Sequence, residues 1–136
     1  MQINAYLNFD GTCEAAFRFY EKVLGGRLIG IETFRSAGVA DFVPPGWEDK
    51  AMHTALVVGD QMLMGSDAPP GRFERPQGFS VSINVDTPEE AERIFGALSE
   101  NGTVTMPLGE TGWASRFGML VDQFGTPWMI NCQKGA

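Results

Sequence analysis

The period of the hydrophobic positions changes several times along the chain, and each change marks an element. Ile3 to Phe9 alternates Ile3, Ala5, Leu7 and Phe9 against Asn4, Tyr6 and Asn8, which predicts a strand with one apolar face. From Asp10-Gly11-Thr12 to Leu24 the spacing lengthens, and Cys13, Ala16, Phe17, Tyr20 and Leu24 form one helical stripe that Gly25-Gly26 can end in a left-handed cap. Leu28 to Phe34 predicts a second strand. Ser36 to Lys50 contains Pro44-Pro45-Gly46-Trp47 and predicts a loop without regular structure, of the kind that often covers a site. His53 to Val58, Gly59-Asp60 and Gln61 to Ser66 then give strand, two-residue turn and strand.

The stretch from Asp67 to Gln77, with Pro69-Pro70-Gly71 and Pro76, reads as a linker. After it the opening pattern returns. Phe79 to Val85 sets Val81, Ile83 and Val85 against Ser80, Ser82 and Asn84. Thr87-Pro88-Glu89-Glu90 is a helix start in which Thr87 caps and Glu90 can reach back to it. Ala91, Ile94, Phe95 and Leu98 supply the buried stripe, and Asn101-Gly102 ends it. Gly118 to Asn131 predicts a hairpin whose turn places Gly125 where a positive φ is needed. Trp128 and Ile130 share one face of its second strand, Met129 and Asn131 the other.

Shifting the second half back by 76 positions lays Asn84 on Asn8, Asp86 on Asp10, Glu90 on Glu14, Ala91 on Ala15, Phe95 on Phe19 and Gly102 on Gly26, without a gap. Matches at structurally equivalent places indicate an internal repeat of a strand-helix-three-strand module. The expected organisation is α+β: module one over about residues 1–67, a linker over about 68–77 and module two over about 78–133. A chain of 136 residues is long enough for one domain built from two such modules.

Composition narrows the chemistry. No run approaches the roughly 20 apolar residues that span a bilayer, and Met1-Gln2-Ile3-Asn4 enters a strand pattern without a basic segment and apolar signal core, so a cytoplasmic protein away from membranes is expected. A net charge of −7 with no basic cluster argues against nucleic acid. Cys13 and Cys132 lack ligand-cluster spacing and are expected as reduced, partly buried thiols.

Tyr6-Leu7-Asn8-Phe9, Glu14-Ala15-Ala16-Phe17, the run Phe19 to Gly26, Gly59-Asp60-Gln61-Met62-Leu63-Met64 and the run Phe117 to Asn131 together resemble the vicinal oxygen chelate superfamily of glyoxalase I, extradiol dioxygenases and bleomycin-resistance proteins. More closely, the chain is similar to the PhnB-like branch, over nearly its whole length. The resemblance implies paired βαβββ modules, each a curved mixed sheet, together enclosing a cavity, and a homodimer. In metal-dependent members the ligands are His or Glu on the first and last strands of each module. Here those places hold Asn4 or Ala5, Ser80, Met129 with Asn131, and a residue near Leu63 or Gly65, none a usual ligand of Zn, Fe, Ni or Mn. With one histidine in the chain, a two-His, one-carboxylate site within it is impossible, so no metal and no other cofactor is expected.

The candidate residues follow from type and parity. His53 is a candidate general base or ligand, with a hydrogen-bonded strand-end histidine as the alternative. Glu110 is a second catalytic candidate or a solvated charge. Trp113 and Arg116, in a glycine-punctuated loop, suit a clamp on a planar or anionic ligand, or an anchor in a dimer contact. Tyr6, Ser80, Ser82, Asn84, Met129 and Asn131 lie on the faces expected to line a partly polar hollow. The favoured expectation is binding of an unidentified small organic molecule without the usual metal centre, comparable to the resistance proteins. The alternative is a metal-dependent or His53-assisted lyase, isomerase or dioxygenase-type enzyme. Members of the branch have also been labelled 3-demethylubiquinone-9 3-methyltransferase-like, but no glycine-rich strand-to-helix turn of the nucleotide-cradling type occurs, which speaks against methyl transfer.

Overall fold

A computed structural model describes residues 1–135. The element order is β1 (Tyr6–Phe9), α1 (Cys13–Leu24), β2 (Arg27–Thr33), β3 (Ala51–Val58), β4 (Gln61–Asp67), β5 (Val81–Val85), α2 (Pro88–Ser99), β6 (Thr103–Gly109), β7 (Ala114–Val121) and β8 (Pro127–Gln133). The chain forms two compact units, Met1–Glu74 and a second beginning at Arg75. Each is a βαβββ module. In the first the strand order is β1-β4-β3-β2, in the second β5-β8-β7-β6. Both sheets are mixed, because β1 pairs parallel with β4 and β5 with β8 while the other pairs are antiparallel. No helix among the described residues is long and apolar enough to cross a membrane.

In the first unit the apolar stripe of α1 lies on one face of the sheet. Phe9, Phe17, Tyr20 and Leu56 are fully buried there, and Phe9 meets Phe17 edge to face. The φ of +75° at Gly25 supplies the predicted left-handed cap, and its N–H donates to the Glu21 carbonyl. The second unit buries Ala91, Ile94 and Leu98 of α2 with Leu120, Trp128 and Ile130 of the sheet. Thr87 caps α2 by accepting from the Glu90 N–H at 3.2 Å. The repeat extends to steric detail: a Cβ on Gly26 would strike the Val57 carbonyl, and one on Gly102 the Val121 carbonyl.

Several sequence expectations are corrected. The first strand begins at Tyr6 rather than Ile3, since its pairing with β4 starts at Tyr6 opposite Met64 and Ile3 is 91% exposed. The opening Asp10-Gly11-Thr12 leads into α1 at Cys13, whose N–H donates to Asp67 Oδ1 at 2.9 Å, from the end of β4. The Glu90 carboxylate does not return to Thr87 but engages Arg93. The loop from Ser36 to Lys50 contains a 3₁₀ turn at Ala40–Phe42. Arg116 lies inside β7 rather than in a loop, because the pairing of β7 with β8 begins at Ala114.

Candidate functional site

Strand register decides which side chains lie on the sheet faces turned away from the helices. In the first unit Leu7, Gly65 and Leu56 face α1; a Cβ on Gly65 would strike Phe17 of that helix. Tyr6 and Asn8 of β1, opposite Met64 and Ser66 of β4, therefore look the other way. The final-strand position expected near Leu63 or Gly65 is taken by Met64 and Ser66, because a one-residue step reverses the face. His53 of β3 lies on this face too. Its Nδ1 is 3.0 Å from the Tyr6 hydroxyl, and the two rings stack with centroids 5.7 Å apart. Glu32 is directly opposite His53 on β2. Asn8, Ser66 and Glu32 were missed in the sequence, although the parity of β1 and the strand holding His53 could have pointed to them.

In the second unit Trp128, Ile130 and Cys132 are buried beneath α2, so their alternates on β8, Met129 and Asn131, face away from the helix. Ser82 is paired with Met129 and Asn84 with Asn131. From β7, Met119 lies opposite Met129 and Phe117 opposite Asn131. Trp113, 62% exposed, packs edge to face on Phe117 with centroids 5.4 Å apart. The Asn131 Nδ2 donates to Asn84 Oδ1 at 3.0 Å, whereas the buried Asn131 Oδ1 has no hydrogen-bond donor among the described residues. Ser80 immediately precedes β5 and is half-buried.

Two candidates stand apart from this face. Arg116 is paired with Cys132, on the α2 side of the sheet, and its Nε bonds Glu92 of α2 at 3.1 Å. Glu110 follows β6 and pairs with Lys134 at 3.3 Å, both exposed. Neither meets the Asn84–Asn131 pair. Cys13 and Cys132 are both buried free thiols. Burial first, then the nearby Asp67 and Glu14 charges, pushes the Cys13 thiol up to about 12, so it is not a ready thiolate.

On the first and last strands of each module, where the resemblance implies the ligands of metal-dependent members, the helix-averted side chains are Tyr6 and Asn8, Met64 and Ser66, Ser82 and Asn84, and Met129 and Asn131. These are hydroxyls, amides and thioethers. No group of three His, Cys, Asp or Glu able to hold a metal occurs among the described residues. Zn, Fe, Ni and Mn sites draw on imidazole, carboxylate and thiolate, so this donor set does not fit such an ion.

The profile of the Glyoxalase/Bleomycin resistance protein/Dioxygenase superfamily matches residues 2–130. The chain belongs to that superfamily. Protein YjdN of Escherichia coli (strain K12) is 35% identical over 142 residues, covering 98% of this chain and 97% of that protein. Among solved structures, protein PA1353 from Pseudomonas aeruginosa is 47% identical with a TM-score of 0.91, covering 99% of each chain. A Bacillus cereus structure described as a putative 3-demethylubiquinone-9 3-methyltransferase, PhnB protein, is 26% identical with a TM-score of 0.78, covering 97% of this chain and 99% of that one. The chain is thus a superfamily member with a PhnB-like structural neighbour.

Proposed function

We propose that this superfamily member binds a small organic molecule on the helix-averted face of its second sheet, without the metal centre of its metal-dependent relatives. The observation that carries the reading is the buried Asn131 Oδ1, an acceptor with no donor among the described residues. A buried polar atom without a partner costs roughly 1–3 kcal/mol, which a bound donor recovers. Asn84, Ser82 and Met129 stand around it, and Trp113 on Phe117 adds an exposed aromatic wall. Ser80 extends the same polar edge. Arg116, tied to Glu92 on the other face, would reach a ligand only after leaving that pair. The PhnB-like resemblance adds a cytoplasmic homodimer to this reading.

The second reading is a His53-assisted enzyme, favoured by the Tyr6–His53 hydrogen bond, since a phenol on an imidazole nitrogen can pass a proton to or from a bound molecule. Glu110 would serve as its acid or base only if released from Lys134.

Thermal shifts against a small-molecule library, with Zn²⁺, Mn²⁺, Fe²⁺, Ni²⁺ and Mg²⁺ as separate arms, test the proposal, because a ligand of the native state raises its stability. Organic compounds are expected to raise Tm in the wild type and to lose that effect in Asn131→Leu/Trp113→Ala. Stabilisation by a metal alone, or organic ligands acting equally on the double variant, would overturn it.

A further inference from the structure

Resting on the binding reading above, we infer that the site on the second sheet selects an uncharged aromatic molecule carrying a hydrogen-bond donor, and that Asn131 Oδ1 is the acceptor that reads this donor. Three features of the same face lead to it.

The first is the direction of the missing bond. Asn131 Nδ2 is already committed to Asn84 Oδ1 at 3.0 Å, so the amide is held with its oxygen as the unsatisfied end. A molecule that brings an N–H or O–H completes the pair, whereas one that brings only an acceptor, or only carbon, leaves the oxygen buried and unpaired.

The second is the absence of charge. The residues that register around Asn131 are Asn84, Phe117, Ser82, Met119 and Met129, none of them ionisable. The nearby Arg116 is paired with Glu92 on the opposite face, and Glu110 with Lys134. A charged ligand would give up its hydration here without an opposite charge to replace it.

The third is the wall. Phe117 is directly opposite Asn131 across the β7–β8 pair, and Trp113 packs on it at 66° between ring planes. Neighbouring strands lie about 4.8 Å apart, so a ring over Phe117 brings a substituent within reach of Asn131. The exposed indole of Trp113 offers a second aromatic surface, and the thioethers of Met119 and Met129 adapt to ring edges.

Three matched probes separate these requirements: indole, which has one N–H; 1-methylindole, the same ring without the donor; and indole-3-acetate, which keeps the donor and adds a negative charge. Affinities are read by NMR from the Asn131 side-chain amide and the Trp113 indole signals. Indole is expected to bind about tenfold more tightly than 1-methylindole, the size of one unsatisfied buried acceptor, and more tightly than indole-3-acetate. In Asn131→Leu the two uncharged probes should bind equally. Asn131→Asp, which keeps an acceptor at that place, should retain the preference for indole over 1-methylindole and provides a second variant should the leucine protein not fold. Trp113→Ala should weaken both uncharged probes by the same factor. Equal affinity of indole and 1-methylindole in the wild type, tightest binding by indole-3-acetate, or a donor preference that survives in folded Asn131→Leu would overturn the ligand class while leaving the binding reading in place. If no probe shifts either signal, both the class and the assignment of binding to this face are wrong.

Discussion

The indole N–H of Trp128 donates to Asp122 Oδ2 at 2.8 Å, beneath the second sheet, while Oδ1 of the same buried carboxylate accepts from the Phe124 and Thr126 amides. One side chain thereby closes the β7–β8 turn and satisfies the polar atom of the largest fully buried residue of the unit. The φ of +93° at Gly125 lets the turn complete this geometry. Asp122→Asn keeps one oxygen for the turn but sets an amide N–H₂ against the indole N–H. It should lose roughly 1–3 kcal/mol in urea unfolding. Trp128→Phe should also destabilise, and the double variant should lose less than the two single losses together, by about 0.5–3 kcal/mol. Strict additivity would show that the pair is not coupled.

Asp67 answers a different need in the first unit. It is buried, and it accepts from the Cys13 amide at 2.9 Å and the Ala51 amide at 3.0 Å, so it ties the start of α1 to the residue where the chain returns from the 36–50 loop. Burial outweighs these bonds and the Lys50 charge and holds its carboxyl above the ordinary carboxylate range. Because the folded value is raised, the stability contributed by its protonation is fully present below the ordinary value of about 4 and is lost as pH rises through the folded value. The stability of the wild type relative to Asp67→Asn should therefore fall over the range in which pH rises above about 4. Paired urea titrations over that range check it, and a constant difference would contradict the raised value.

Glycines in the repeat separate steric need from chance. Gly102→Ala would drive its new methyl onto the Val121 carbonyl and should cost roughly 1–3 kcal/mol. Gly96, exposed in the middle of α2 with open space at its Cβ position, should gain about 0.5–1 kcal/mol when changed to Ala. Melting temperatures of the two variants should move in opposite directions; a shift of the same sign would refute the steric account.

The helices, the duplicated module and the final hairpin were legible because each is written in local spacing: the Cys13-Ala16-Phe17-Tyr20 stripe, the Thr87-Pro88 start and the Asp122–Pro127 turn. The ends of β1 and β7 were not, because a strand exists only as far as its partner allows. Tyr6 pairs with Met64 and Ala114 with Gln133, and neither partner is readable from the local pattern. Parity correctly separated Met129 and Asn131 from Trp128 and Ile130, whereas glycine punctuation placed Arg116 in a loop, and the register of β7 sends that side chain to Glu92 instead.

What the sequence determined by itself was therefore the set of elements and the alternation of faces, both consequences of backbone geometry that repeats every two or every 3.6 residues. Only the tertiary structure decided which distant groups meet: His53 with Tyr6, Cys13 with Asp67, and Asn131 with Asn84. The reason is physical. Those bonds depend on strand register, which is fixed by the summed packing of whole sheets against their helices and leaves no mark on the spacing of any one segment.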